Sequence, residues 1–353
     1  MTRVRIAVVG AGLIGRRHIA LVRSDVASEL VSVVDPDPAA RDGHGVPGYA
    51  GVPEMLAAVR PDAVIVASPN RLHAEHVLHC VEARVPVLVE KPLADSPAEA
   101  VSMVEAAEAA GVPLLVGHHR RHSPIVAAAA EVVRTGVLGR LVAVQGSALF
   151  RKPDGYFENA PWRSTAGGGP ILINLVHEID NLRALCGEIT EVQAVASNAV
   201  RGFDVEDTAA VTLRFDTGAL GVFLLSDTAA APHSWEQTSA EDAAYPNHPD
   251  EDCYVLAGTD GSLGIPTMRL RVFAGERSWW QPFRTSVLDR SGADPLVRQL
   301  AHFRAVVRGE TAPLVDGREG LRTLRVTHAV AEAARTAATV PIPLTEVEPC
   351  TKA

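Results

Sequence analysis

Short apolar runs alternate with amphipathic segments over the first third of the chain. Runs of five residues rich in Val, Ile, Leu and Ala are typical of strands buried on both faces of a parallel sheet. The segments between them have the length and apolar spacing of helices. We therefore predict an α/β domain with a doubly wound parallel sheet, its strands at 5–9, 30–34, 63–67, 85–89 and 112–116 and its helices at 16–22, 53–59, 73–83 and 96–110.

The pattern changes after a helix predicted at 123–135. Turn-forming residues such as Asp216-Thr217-Gly218 then join successive strands, which favours antiparallel pairing. Further helices are predicted at 170–185, 295–308 and 318–337, and an acidic loop with aromatic residues at 232–252. The strands of this α+β half are predicted at 141–150, 191–200, 207–215, 219–226, 254–258 and 269–273.

A glycine motif lies between the first predicted strand and the first predicted helix. Its three glycines permit a tight turn, close approach of a pyrophosphate, and close packing of helix on strand. The free N–H groups and positive dipole end of the helix N-terminus bind the phosphates. Asp35, 20 positions after the last glycine, ends the second strand and can bind ribose hydroxyls. Together they predict a dinucleotide site formed by Gly10, Gly12, Leu13, Ile14, Gly15 and Asp35.

The carboxylate at position 35 also bears on which dinucleotide binds. It would repel a 2′-phosphate, so NAD is favoured over NADP. Arg41 lies close enough in sequence to keep NADP open as the alternative.

Composition excludes several other classes of protein. A length of 353 residues favours two domains, and a net charge of −9 without a basic run argues against nucleic-acid binding. No apolar stretch is long enough to span a bilayer, and we expect no signal peptide. Cys80, Cys186, Cys253 and Cys350 lack metal-ligand spacing, which favours a reducing cytoplasm and no metal site.

Four linked segments resemble the glucose–fructose oxidoreductase / inositol dehydrogenase (Gfo/Idh/MocA) family. They are the motif from Gly10, the run Ser68-Pro69-Asn70-Arg71-Leu72-His73, Glu90-Lys91-Pro92, and Gly167-Gly168-Gly169 followed by His177. The resemblance implies a Rossmann domain over residues 1–120. It implies a substrate-binding and oligomerisation domain over 121–353, with an open, mostly antiparallel sheet and last helices that pack back toward the first domain.

The resemblance also implies an activity. It is NAD(P)-dependent oxidation or reduction at an oxygen-bearing carbon of a sugar, inositol-like polyol or derivative, in a homodimer or homotetramer. Two alternatives stay open: an enzyme acting on an aromatic-catabolism compound such as a dihydrodiol or keto acid, and a dinucleotide-sensing regulator without turnover.

Hydride transfer requires a group that moves a proton and a group that stabilises charge on the substrate oxygen. Lys91, just past a strand end, is our candidate for charge stabilisation, with a cis peptide bond plausible before Pro92. His177 is the candidate acid/base. Relatives commonly carry a carboxylate where this chain has Ile173, so we expect Asn174 to bind substrate in its place, on a regular helix.

The remaining predicted site residues surround these candidates. Asp180 is expected to orient His177 and to belong to the substrate site. The resemblance implies that Arg163 approaches the cofactor or the substrate, and that Arg121 is a structural or substrate-side cation. The acidic loop is either a substrate lid or a subunit contact. Strand-end residues predicted to contact the cofactor are Ser68, Pro69, Asn70, His73, Glu90 and Lys91.

Overall fold

The computed structural model describes residues 2–290 and 292–344. Contacts divide the chain into two compact units, with the first boundary after His122. The first unit comprises Met1–His122 and Pro295–Leu324, and the second comprises Ser123–Asp294 and Arg325–Ala353. A late segment of the chain thus completes the first unit.

The strands form two separate sheets. In chain order they are β1 Val4–Val9, β2 Ser28–Val34, β3 Gly48–Tyr49, β4 Ala63–Val66, β5 Val87–Val89, β6 Leu114–Val116, β7 Leu141–Arg151, β8 Ile189–Ser197, β9 Thr208–Phe215, β10 Leu220–Ser226, β11 Thr228–His233, β12 Tyr254–Gly258, β13 Gly261–Ile265, β14 Arg269–Phe273, β15 Phe283–Val287 and β16 Val340–Pro341.

Most helices coincide with predicted ones. They are α1 Leu13–Ser24, α2 Pro38–Arg41, α3 Val52–Val59, α4 His73–Glu82, α5 Pro97–Ala110, α6 Pro124–Arg134, α7 Gly155–Glu158, α8 Val176–Cys186, α9 Trp235–Thr238, α10 Pro295–Val307 and α11 Gly317–Thr336. Ser96 begins α5 with a reciprocal capping box to Glu99, as the serine and glutamate at that spacing predict.

The sheet of the first unit is parallel, with the order β3-β2-β1-β4-β5-β6. This order reverses direction between β1 and β4, and ligands of such sheets bind outside the carboxyl ends of the strands at that switch point. Gly10 follows β1 and Ser68 follows β4, so both lie at this edge. Leu300 and Phe303 of α10 pack into the core of the same unit.

The sheet of the second unit is mixed. Its main order is β15-β14-β13-β12-β7-β10-β9-β8-β16, and β11 pairs with β7. Most neighbours are antiparallel, as predicted, but β10 runs parallel to β7 from Leu220 against Ala143 to Ser226 against Leu149. The prediction missed β11, β13, β15 and β16, since short strands in turn-rich sequence lack a clear two-residue period.

The predicted regular helix at 170–185 is wrong at its beginning. Residues Ile171–Leu175 form a π-helical turn, and α8 begins only at Val176. A π-turn has more residues per turn than an α-helix. Side-chain directions calculated at 100° per residue therefore do not apply between Asn174 and His177.

One face of the second sheet exposes apolar side chains. Along β10, Gly221, Phe223 and Leu225 are buried, while Leu220, Val222 and Leu224 between them are 53, 53 and 44 % exposed. This alternation places one set of side chains in the core and the other on an open apolar surface.

Among the described residues, no helix has the length and apolar character needed to span a membrane. Within the same residues, no group of three or more His, Cys, Asp or Glu side chains is arranged to hold a metal ion.

Candidate active site

The glycine turn after β1 is packed on one side and open on the other. Gly10 has a φ of +88°, and a Cβ there would lie 2.6 Å from the carbonyl oxygen of Ala67. A Cβ on Gly15 would lie 1.9 Å from the carbonyl oxygen of Gly10. A Cβ on Gly12, at the N-cap of α1, would meet nothing within 4 Å. The turn therefore leaves open space in front of a helix N-terminus, where a pyrophosphate fits.

Asp35 is anchored beside this turn. Its Oδ2 accepts from the Ala11 backbone N–H at 2.9 Å, and its Oδ1 accepts from the Asp37 N–H at 3.0 Å. Each carboxylate oxygen has a second lone pair. The carboxylate is thus held where it can also accept from a ribose diol, and the residues present fit a dinucleotide.

Arg41, the residue that kept NADP open, is bound to the backbone near Asp35. Its Nη1 donates to the carbonyl oxygens of Asp35 at 3.2 Å and Pro36 at 2.9 Å. The guanidinium therefore stabilises the loop after β2.

His73 joins the loops that follow β4 and β5. Its Nε2 lies 2.9 Å from the Ser68 carbonyl oxygen, and its Nδ1 lies 2.9 Å from the Pro92 carbonyl oxygen. Burial lowers the pKa of His73, although both carbonyls act to raise it. His73 is 1 % exposed and fixes the two strand-end loops to one another. Its contact with the cofactor stays a prediction.

The other predicted residues of the loop after β4 lie nearer the surface. Ser68 Oγ is 2.9 Å from His76 Nδ1, and Asn70 Nδ2 donates to Asp95 Oδ1 at 2.9 Å. Pro69 begins the short turn Asn70–Leu72 between them. These contacts hold the loop at the carboxyl end of β4.

Glu90, at the end of β5, is a buried anion. Its Oε1 lies 2.7 Å from Nε2 of His18, a residue of α1 that the sequence analysis missed. Burial alone would raise the pKa of Glu90, but the His18 hydrogen bond and the charges of His18, His119 and Lys91 lower it to about 2. His18 must then donate, and the pair fastens the dinucleotide helix to β5.

Lys91 follows directly in the same loop. Its backbone N–H donates to Glu90 Oε2 at 3.3 Å, and the Lys91–Pro92 peptide bond is cis, as predicted. The first unit thus brings Lys91 together with the glycine turn, Asp35 and Ser68 at the carboxyl edge of one sheet.

Arg121 lies in the first unit, in the turn His119–His122. Its Nη1 is 3.7 Å from Oε2 of Glu319 on α11. Through this ion pair Arg121 stabilises the fold of the first unit. Its role in substrate binding stays a prediction.

In the second unit, the glycine run leads into the π-turn and α8. Glu206 Oε1 accepts from the Ile171 backbone N–H at 2.8 Å, and a Cβ on Gly169 would lie 2.4 Å from the same oxygen. Burial raises the pKa of Glu206, with a further increase from Asp227, while the Ile171 bond lowers it. A Cβ at position 169 would therefore displace the Glu206 carboxylate that caps the turn.

His177 is the second residue of α8 and is 8 % exposed. Asp180, one turn further on, is 1 % exposed. Such burial suits Asp180 to orienting a neighbour, and its place in the substrate site stays a prediction. Ile173 and Asn174 are both only partly buried within the π-turn.

Lys152, just after β7, is a second site residue that the sequence analysis missed. It is 8 % exposed, and its Nζ donates to Asn174 Oδ1 at 2.7 Å and lies 3.4 Å from Asp227 Oδ2. A signal existed in the composition. The chain has 33 basic residues but only three lysines, Lys91, Lys152 and Lys352, so a lysine at a strand end was informative.

Arg163 belongs to the same part of the second unit. Its Cζ lies 3.8 Å from the centroid of the Tyr156 ring, and Lys152 Nζ lies 4.9 Å from that centroid. Arg163 Nη1 also donates to the Tyr156 carbonyl oxygen at 2.7 Å. We call Lys152, Tyr156, Arg163, Asn174 and Asp227 the Lys152 cluster.

The acidic loop is partly built into the core of the second unit. Trp235 is 3 % exposed within the hydrophobic core, and its Nε1 donates to Glu241 Oε2 at 2.9 Å. The role of 232–252 as a substrate lid or a subunit contact stays a prediction. Tyr245, in the same loop, is 48 % exposed.

An open glycine turn, an anchored acidic residue after β2 and the strand order together define a dinucleotide-binding Rossmann domain. Family models agree. Residues 4–118 match the oxidoreductase family with an NAD-binding Rossmann fold (GFO_IDH_MocA), and residues 126–264 match the GFO/IDH/MocA C-terminal domain. The chain belongs to the Gfo/Idh/MocA family and is an oxidoreductase with an NAD-binding domain.

Individual relatives extend the likeness over nearly the whole chain. The 1,5-anhydro-D-fructose reductase of Ensifer adhaerens is 28 % identical over 94 % of this chain and 96 % of its own length. The myo-inositol 2-dehydrogenase of Thermotoga maritima is 28 % identical over 92 and 94 %. The Bordetella pertussis WlbA dehydrogenase, solved with NADH and UDP-GlcNAcA, has a TM-score of 0.78 at 25 % identity, over 97 % of this chain and all of that one.

Replacing Glu90 by Gln tests the buried pair with His18. The folded-state pKa of Glu90 is lowered from 4.5 to about 2, so its contribution to stability is present above pH 4.5 and is lost as the pH falls toward 2. Urea unfolding should show Glu90→Gln less stable than wild type by about 2–3 kcal/mol at pH 7, with a smaller gap at pH 3.

Glu75→Gln is the matched control, since its side chain is 63 % exposed on α4. It should change the free energy of unfolding by less than about 0.5 kcal/mol at either pH. If Glu90→Gln lowers the free energy of unfolding by the same amount at pH 7 and pH 3, the assignment of Glu90 as a buried anion is contradicted.

Proposed function

We propose that this protein is a dehydrogenase or reductase that uses NAD. It acts on a hydroxyl or carbonyl carbon of a sugar, an inositol-like polyol or a derivative. The observation that carries the proposal is the anchored Asp35 beside the open Gly12 turn, which suits an unphosphorylated ribose. Relatives named for reduction or oxidation of sugars and inositol support the substrate class.

The residues that would hold NAD come from the first unit. The turn from Gly10 to Gly15, including Leu13 and Ile14, receives the pyrophosphate, Asp35 receives the adenosine ribose, and the loops at Ser68–Asn70 and Glu90–Lys91 border the nicotinamide end. When bound, NAD accepts a hydride and NADH donates one. His73 and Glu90 act indirectly, by fixing those loops and α1.

Asp35→Ala should weaken NADH binding about tenfold or more and should raise the affinity for NADPH relative to NADH, since a ribose partner and a repulsive charge are both lost. Fluorescence titration with each nucleotide measures both effects. Asp37→Ala is the control: its Oδ1 caps α2 through the Ala39 N–H, so NADH affinity should stay within about threefold. If Asp35→Ala leaves the ratio of the NADH and NADPH affinities unchanged, the assignment of Asp35 to the ribose is ruled out.

Lys91 and His177 carry the proposed chemistry on the substrate. The Lys91 ammonium stabilises negative charge on the reacting oxygen, and His177 exchanges the proton with that oxygen. Asp180 orients the imidazole from one turn further along α8, and Asn174 and Arg163 bind other substrate groups. Arg121 is a further substrate-side cation in this proposal, and its pairing with Glu319 also makes it a stabilising residue.

Lys91→Met and His177→Ala should each lower kcat about 10²- to 10⁴-fold while the Kd for NADH stays within about threefold, because neither is proposed to provide most of the NADH affinity. A screen of sugars, polyols, dihydrodiols and keto acids, read at 340 nm, supplies the substrate. His79→Ala removes a partly exposed histidine of α4 and should leave kcat unchanged. Full turnover in His177→Ala would remove that residue from the mechanism.

The same screen separates the enzyme from a dinucleotide-sensing regulator. Transfer of deuterium from labelled substrate to NAD occurs only with turnover. Nucleotide binding without transfer for any compound would favour the regulator.

We further propose a cytoplasmic homodimer or homotetramer that associates through the exposed face of the second sheet. The apolar side chains Leu220, Val222 and Leu224 on that face support the assembly. The cytoplasm fits the free, buried thiols of Cys80 and Cys186, since burial raises the pKa of each to about 12 and protects it from oxidation. Cys350 lies outside the described residues.

The double substitution Val222→Lys and Leu224→Lys should convert the assembly to monomers, because two ammonium groups would have to be buried in an apolar contact. Sedimentation velocity at about 10 μM measures the mass. Val26→Lys changes a residue of the first unit that is 85 % exposed and should leave the mass unchanged. A wild-type monomer would refute the proposed assembly.

A further inference from the structure

The Lys152 cluster determines which way the amide of Asn174 is turned. Lysine has only hydrogen-bond donors, so the side-chain atom of Asn174 that lies 2.7 Å from Lys152 Nζ must be the amide oxygen. The Nδ2 group, which only donates, is then directed away from Lys152. Asn174 is partly exposed. Among the described residues, its side chain forms its hydrogen bond with Lys152.

Lys152 is itself held firmly in place. Asp227 Oδ2 lies 3.4 Å from its ammonium, while Asp227 Oδ1 accepts from Arg201 Nε at 3.0 Å. Arg201 Nη2 also donates to the Lys152 carbonyl oxygen at 2.9 Å. Asp227 is 1 % exposed, so this carboxylate serves the two cations and is not presented to a ligand.

Arg163 and Tyr156 lie beside Lys152, and Glu206 lies beside Ile171, the first residue of the π-turn that carries Asn174. Arg163 stacks on Tyr156, and burial raises the pKa of Tyr156, so its hydroxyl remains protonated. Glu206 Oε1 accepts from the backbone N–H of Ile171. Ile173, where relatives commonly have a carboxylate, has an apolar side chain. Lys152, Arg163 and the Nδ2 group of Asn174 therefore offer donors, and the side chain of Ile173 offers no acceptor.

We propose that Lys152 is a positioning residue that sets substrate class by fixing Asn174 as a hydrogen-bond donor. The substrate group opposite Asn174 is then an acceptor, and a carboxylate is the strongest one. This inference rests on the proposed function and narrows it, from sugars and polyols in general to sugar acids or related hydroxy acids. A neutral polyol, which presents a hydroxyl at that position, binds more weakly.

The residue type at position 152 fits this role. An ammonium is a compact donor that fits between Asn174 and Asp227. The chain otherwise uses arginine for nearly all of its cations, so lysine here is an exception to its own composition.

The test compares two probes that differ at one carbon, D-glucuronate with a carboxylate and D-glucose with a CH₂OH group. Their Kd values are measured by calorimetry on the full chain saturated with NADH, so the readout is binding and not turnover. We expect wild type to bind D-glucuronate about tenfold more tightly than D-glucose. Asn174→Leu, which removes the donor without changing charge, should bring the two Kd values within about threefold.

Lys152→Met should have the same effect, because the freed amide can then present either atom. Lys152→Arg retains a donor and should restore most of the preference. Asn198→Leu is the matched control, since Asn198 is an exposed asparagine whose Nδ2 donates to the Phe203 carbonyl oxygen. It should leave the preference unchanged.

Each result decides the matter. Loss of preference in Asn174→Leu and Lys152→Met, with rescue in Lys152→Arg, would support the inference. Equal binding of the two probes by wild type, no binding of either, or an unchanged preference in Asn174→Leu would overturn it. Failure to bind NADH at all would instead overturn the proposed function, and the inference with it. Asn174→Leu keeps the test valid if Lys152→Met does not fold.

Discussion

The close approach of the first glycine turn to the end of β4 is the constraint on which the first unit depends. Gly10, Gly15 and Ala67 come together with no space for a side chain, so α1 begins directly against the sheet. That contact directs the N-terminus of α1 to the carboxyl edge of the strands and leaves Gly12 open. A larger residue at 10 or 15 would displace the helix, and the phosphate position would be lost with it.

Buried charge then fixes the surrounding loops. Glu90 is held as an anion by His18, and His73 binds carbonyl oxygens of two different loops, so α1, β4 and β5 are tied together beside Lys91. The second unit uses the same principle. Asp227 pairs with both Lys152 and Arg201, and Lys152 in turn orients Asn174. In each unit an interior ion pair costs desolvation and provides a defined direction for a neighbouring side chain.

Sequence patterns predicted the first unit well because its signals are local. The five-residue apolar runs, the glycine spacing and the capping residues of α5 each depend on neighbours within a few positions. The predictions were weaker where long-range contacts decide. Residues 295–324 join the first unit through side chains such as Phe303, which the family resemblance implied and no local pattern indicates. The π-turn at Ile171–Leu175 accompanies the capping of Ile171 by Glu206, 35 residues later.

The sequence by itself determined the class of protein, its NAD-binding segment and most of its secondary structure, since glycine spacing and apolar period follow directly from backbone geometry. Only the tertiary structure decided which polar residues are partners. Three contacts join residues 5 to 72 positions apart: His18 with Glu90, His73 with the Ser68 carbonyl oxygen, and Lys152 with Asn174. Burial turns such contacts into fixed orientations, and burial is a property of the folded chain.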